Sequence, residues 1–168
     1  SIKYVFTYLG YKFLIPFSKK ENSITMDSII ILMSDEKFER FKKKIDASFS
    51  DYFASIAKYS ANKNSTERML IKRIKFLTNN HQLISRKSNV FIGIYFSNEF
   101  MSKPYSDLLK LDHYLNEKIK LLPSTFNSSL IDKLKKMSFE VGFTSRILLR
   151  FNSESFKNGR MMKVWKNL

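Results

Sequence analysis

The sequence predicts an α+β fold, mostly helical, with an N-terminal antiparallel β-hairpin followed by a helical bundle. Three observations carry this. The runs Tyr4 to Phe17 and Ile24 to Met33 are rich in β-branched and aromatic residues, which favour strands. From Ser34 onward apolar residues recur at three- and four-residue steps, the helical period. Apolar residues make up 43% of the 168 and aromatics 15%, enough for a packed core.

In the first run, Gly10 stands inside Tyr8-Leu9-Gly10-Tyr11-Lys12-Phe13. A strand-interior glycine marks a bulge, a bend or a close backbone approach. Ser18 to Ser23 is polar and reads as the hairpin loop to the second strand, without the Asn-Gly of the tightest turns. The first helix is expected over Ser34 to Ala57. Ser34 suits the N-cap, and Asp35 and Glu36 suit the positive end of the dipole. Phe38, Phe41, Ile45, Phe49, Tyr52, Phe53 and Ile56 form its apolar stripe, with Lys37, Arg40 and Lys44 on a neighbouring face and Lys42 nearer the stripe.

Tyr59 to Ser65 reads as a polar connector, and a second helix spans Thr66 to Leu77, capped by Ser65 or Thr66. Leu70, Ile74 and Leu77 line one side of it; Arg68, Lys72 and Lys75 line the other. Thr78 to Asn89, with His81 and the Arg86-Lys87 pair, reads as loop. His81 has no partner at metal-ligand spacing, and Arg73 lies too far before it for a ribonuclease-type pair; satisfying the helix end is its expected role. Val90 to Phe96 reads as a buried strand or part of a helix, its length favouring strand.

A third helix covers Tyr105 to Leu122, ended by Pro123, with Asp112 in a polar contact at the core edge. A fourth covers Ser128 to Met137, with Lys133 and Lys136 outward. Gly142 is expected to allow a turn, and Thr144 to Phe151 to form a helix or a strand. The tail Ser153 to Leu168 carries Lys157, Arg160, Lys163 and Lys166 at three-residue steps, and its Trp165 is expected to anchor it to the core. The organisation is thus residues 1–33 as hairpin and 34–168 as helical domain.

The net charge of +15 is the strongest bulk signal and points to a polyanion. Nucleic acid is the expected partner; anionic lipid, an acidic protein and an A+T-rich codon bias stay open as other sources of the lysine excess. Helix faces bearing Arg68, Lys72 and Lys75, and Lys37, Arg40 and Lys44, suit phosphate contacts, which give affinity and position without sequence choice. No cysteine is present, so disulfides and thiolate metal sites are excluded. No apolar run reaches the roughly 18 residues of a membrane span. A cytoplasmic protein without membrane contact is expected.

The Leu9-Gly10-Tyr11-Lys12-Phe13 core, the strand after it, and the Ser-x-x-Lys opening of a lysine-rich helix at Ser34 resemble the end of the palm and start of the thumb of bacterial reverse transcriptases, retron-like and phage-defence types above all. Residues 1 to about 58 carry this likeness; Phe76-Leu77-Thr78-Asn79-Asn80 and Gly93 to Asn98 add weaker likenesses. The resemblance implies a primer grip at Tyr8, Leu9, Gly10, Tyr11 and Lys12, holding the primer strand, and a template–primer duplex of RNA and/or DNA as partner. It also implies a role in antiviral defence.

The family's catalytic Tyr-x-Asp-Asp is missing: the aspartates, from Asp27 to Asp132, all stand singly. Two-metal phosphoryl transfer needs clustered carboxylates. The chain is therefore expected to be the C-terminal part of a polymerase, or half of a split one, with no catalytic residue or metal ligand of its own. Mg2+ would reside in the remainder of the polymerase. Two alternatives stand beside this: a free-standing nucleic-acid-binding module, and a domain that oligomerises through its aromatic surface. Bulky replacements at Gly10 are expected to disturb primer placement more than stability.

Overall fold

A computed structural model describes residues 2–16, 29–84, 89–152 and 159–168. The expected loop Ser18 to Ser23, the start of the expected second strand, Arg86-Lys87 and the tail up to residue 158, Lys157 included, lie outside the described residues. Within them the chain is mixed α/β: an N-terminal antiparallel hairpin, then a helical region.

The hairpin is made differently from the expectation. Tyr4 to Phe17 is not one strand with a kink. It is two strands, β1 (Ile2–Tyr8) and β2 (Tyr11–Pro16), joined by Leu9 and Gly10 and paired with Tyr8 opposite Tyr11. Leu9 (φ 48°) and Gly10 (φ 77°) are both left-handed. This is the type I′ geometry whose twist matches that of the flanking strands. β3 (Ile30–Met33) then adds to β2, antiparallel, giving the order β1-β2-β3.

α1 (Asp35–Lys58) starts where expected: the Ser34 hydroxyl accepts from the Lys37 amide, 3.2 Å. The connector after it is not loop. A 3-10 turn (Ser60–Asn62) runs directly into α2 (Lys63–Thr78), so α2 begins three residues before Thr66, and its N-cap, Asn62, makes no side-chain capping bond.

Asn80–Ile84, expected as loop, is strand β4. It pairs antiparallel with β5 (Asn89–Gly93) and parallel with β6 (Leu148–Asn152), giving a second sheet in the order β5-β4-β6. Its first residues are polar and buried, so hydrophobic alternation does not mark it. The Asn80 amide satisfies itself instead, donating to the Gly142 carbonyl (2.9 Å) and accepting from the Tyr95 amide (2.8 Å).

α3 (Ser106–Lys120) and α4 (Ser128–Lys135) follow within two residues of the expected spans. Asp112 makes its core-edge contact by accepting from the Ser138 hydroxyl and the Phe139 amide, at the start of α5 (Phe139–Ser145). Gly142 lies inside α5 and is not a turn. A Cβ there would sit 1.7 Å from the Thr78 carbonyl oxygen, so only glycine lets α5 lie against the end of α2.

One core joins these elements. Ile45, Phe49 and Tyr52 of α1 meet Leu70, Ile74 and Leu77 of α2 and Leu108, Leu111 and Leu115 of α3. Tyr11 and Met33 carry the first sheet into it. A final 3-10 turn (Arg160–Trp165) closes on α1 and α2. Trp165 is buried and anchors the tail as expected: its indole N–H donates to the Lys44 carbonyl (3.0 Å) and the Ser48 hydroxyl (3.1 Å). No helix among the described residues is long and apolar enough to cross a membrane.

Candidate nucleic-acid interface

The expected site residues fall into two groups. The first surrounds the hairpin turn. Tyr8 and Leu9 project from its tip, 63% and 77% exposed. Gly10 holds the turn against α1 through its carbonyl, which accepts from the Ser34 amide at 2.9 Å. Tyr11 turns the other way, into the core at 8% exposure, and its hydroxyl donates to the Ser97 carbonyl. Lys12 pairs with Asp35 at 2.5 Å. Lys37 lies over the Tyr11 ring, 4.8 Å from its centroid, beside Gly10, and donates to the Ser97 carbonyl. Burial holds its ammonium below the ordinary lysine range, with Arg40 nearby adding to the effect.

α1 divides the rest of its basic residues. Arg40 pairs with Glu36 at 2.7 Å, one turn before it. Lys44 lies 5.9 Å from the Trp165 ring and is likewise held below its usual range by burial, then by Arg40. The neighbouring face expected to present Lys37, Arg40 and Lys44 together as free charges is therefore mostly occupied by local contacts.

The second group is α2. Arg68, Lys72 and Lys75 are all exposed on the side opposite buried Leu70, Ile74 and Leu77. They border a furrow made of hollows that share walls. One hollow lies between Arg68, Met69, Lys72 and Lys133 of α4. Across Met69 and Lys72 it opens into a cleft of about 500 Å³ lined also by Lys75, Phe76, His81, Leu149, Arg150 and Arg160 to Met162. Phe76 and Met162 lead from there to a third hollow, which ends at Ser97, the residue that holds Tyr11 and Lys37. Lys44, Lys163 and Lys166 border a fourth beside Met162. The hollows thus share walls from α4, along α2, to Ser97; no hairpin residue among those described lines them.

No aspartate or glutamate lines any of these four hollows, while a smaller one that shares Met69 and Arg160 with the cleft is lined by Asp51. The carboxylates are engaged elsewhere: Asp35 with Lys12, Glu36 with Arg40, Asp46 with Lys118, Asp51 with Arg73 and Glu67 with Lys63. Among the described residues, Arg68, Lys72, Lys75, Arg150 and Arg160 form no ion pair. These five therefore form a local group of cations without an acidic partner among the described residues, one part of the chain's net charge of +15.

His81 underlies the furrow. Its Nε2 lies 2.8 Å from the Phe76 carbonyl, an acceptor only, so Nε2 carries the proton and satisfies the end of α2 as expected. Burial pushes the imidazole below its ordinary value and Lys75 adds to this, while the Phe76 carbonyl opposes both.

Arg150 and Arg160 have no place in the helix-face pattern. Arg160 was visible only as one step of the basic tail, and Arg150 reaches the furrow because β6 pairs with β4, a contact that periodicity does not encode. Among the described residues no three metal-ligating side chains cluster. The structure is that of a mixed α/β chain with a furrow bordered by cations. No protein-family model, curated protein or solved structure matches it.

Proposed function

We propose that this chain is the primer-grip and thumb portion of a bacterial reverse-transcriptase-like, RNA-directed DNA polymerase, clamping a template–primer duplex through its phosphates. The observation that carries the reading is the furrow along α2 bordered by Arg68, Lys72, Lys75, Arg150 and Arg160, which have no acidic partner among the described residues. Such a surface grips backbone by shape and charge, the way A-form and hybrid helices are held. Leu9 and Tyr8 at the turn tip would meet the primer strand. The chemistry would take place in the remainder of the polymerase, which the apolar side chains of β1 (Ile2, Tyr4, Val5 and Phe6, all exposed) would pack against. A role in antiviral defence follows only from the family likeness and is proposed on that basis.

The test is charge reversal on α2. Arg68→Glu, Lys72→Glu and Lys75→Glu together are expected to weaken binding of an RNA–DNA duplex at least about tenfold near 100 mM salt, with melting temperature nearly unchanged. Unchanged duplex affinity would remove the interface from this face.

The exposed β1 side chains also support a second reading, a domain that self-associates without a polymerase. That reading expects assembly that grows with concentration and duplex affinity insensitive to the α2 reversal.

A further inference from the structure

We infer that the central cleft of the furrow, between α2, β4, β6 and the C-terminal 3-10 turn, is a slot for one unstacked nucleotide of a single strand, its base inside and its phosphates on the rim. The inference rests on the reading that the furrow takes nucleic acid.

The cleft has two chemistries. Its inner wall is apolar, from Met69, Phe76, Leu149, Met161 and Met162; its border is Lys72, Lys75, Arg150 and Arg160. A surface that follows only the outside of a duplex needs cations and no apolar floor, because the bases are stacked away inside. An apolar floor under a cationic rim fits a splayed-out nucleotide, whose flat face packs on the polarisable sulfur of Met69, Met161 and Met162 while its phosphates stay outside. The volume, about 500 Å³, is that of a small-ligand pocket.

The walls are also fixed in advance. Arg73 is buried, pairs with Asp51 at 2.5 Å, and donates to the carbonyls of Met161 (3.0 Å) and Arg160 (3.5 Å). Trp165 pins the other end of the same 3-10 turn to α1. Beneath, the Phe76 and His81 rings stack at 4.2 Å and 7°. A preformed slot loses little on binding.

A phospholipid headgroup shares the anionic and apolar chemistry. The cations argue against it: they continue beyond the cleft on both sides, to Arg68 and Lys133 and to Lys44, Lys163 and Lys166, as a track for a chain of phosphates.

The test compares a labelled oligothymidine with an abasic strand of equal phosphate count, each bound to the full chain. The thymidine strand is expected to bind at least about fivefold tighter, the worth of one stacked base. In Met69→Ala/Met161→Ala the gap closes while abasic affinity stays. A 4-thiothymidine strand on the unaltered protein is expected to crosslink to Phe76, Met161 or Met162. Equal binding of the two strands, a gap that survives the double substitution, or crosslinks elsewhere would overturn the slot. If duplex binding persists in those cases, the clamp stands without it. If duplex and both strands all fail to bind, the clamp reading falls too. Capture by phosphatidylserine vesicles without strand binding reassigns the cleft to lipid headgroups and overturns the slot.

Discussion

Leu9 sits at the tip of the hairpin in a left-handed conformation, φ 48°, with 77% of its surface exposed. A leucine there gains no burial and carries the strain of Cβ against the backbone, on the order of 1–2 kcal/mol. Asparagine tolerates this conformation and is favoured in type I′ turns. Leu9→Asn is expected to stabilise the protein by about 1 kcal/mol in urea denaturation, while weakening any contact the tip makes. Gly10 is different. Space exists for a side chain, since the nearest atoms are the flexible end of Lys37, but φ 77° is costly for any β-branched residue. Gly10→Val should lose roughly 1–3 kcal/mol. A stability cost of that size stands beside the expected, larger effect of a bulky group at Gly10 on primer placement.

Gly142→Ala is expected to be the harsher change. The new methyl would overlap the Thr78 carbonyl, a backbone atom that cannot swing aside. A loss of about 3 kcal/mol or more is expected in the same assay.

His81 gives a pH signature. Its folded pKa lies below that of an unfolded imidazole, near about 6.5, so unfolding takes up a proton. The stability is present above that value and is lost as pH falls through the folded pKa. Melting temperature should begin to drop as pH falls below about 7 and go on dropping until the folded pKa is passed, and His81→Phe should flatten that slope while lowering the plateau. An equal slope in the variant would assign the titration to another group.

At the scale of elements, the sequence was most legible where one helix face met one core. α1, α3 and α4 and the two faces of α2 follow from three- and four-residue spacing, and buried Leu70, Ile74 and Leu77 stand opposite exposed Arg68, Lys72 and Lys75. Legibility failed where polar residues are buried through hydrogen bonds. Asn80 and His81 open a strand by bonding to Gly142, Tyr95 and Phe76, none of which is a local neighbour in the strand pattern. Gly142 reads as a turn because the requirement that makes it glycine, contact with Thr78, comes from another helix. Arg73 has no place on either face of α2 in the sequence pattern, yet it is buried under the tail, tied to Asp51 and two carbonyls. An N-terminal antiparallel hairpin was expected and is present, but its two strands both lie within the run read as one, because Leu-Gly is a poor type I′ signal beside Asn-Gly. The α2 reversal belongs to this scale. It changes one face and spares the other, so affinity and stability should part.

For the whole molecule, the central fact is where charge is cancelled and where it is not. Acidic partners sit beside Lys12, Arg40, Lys42, Lys118 and Lys120, while Arg68, Lys72, Lys75, Arg150 and Arg160 on the α2 furrow have none among the described residues. The candidate site was half legible for this reason: spacing put three cations on one side of α2, while the tail and β6 brought Arg160 and Arg150 to it only through folding. The most direct test is the salt dependence of duplex binding between about 50 and 300 mM. Five furrow cations, Arg68, Lys72, Lys75, Arg150 and Arg160, should displace counterions from as many phosphates, giving a log–log slope of about −4 to −5. A slope near zero would contradict the clamp, whatever the affinity.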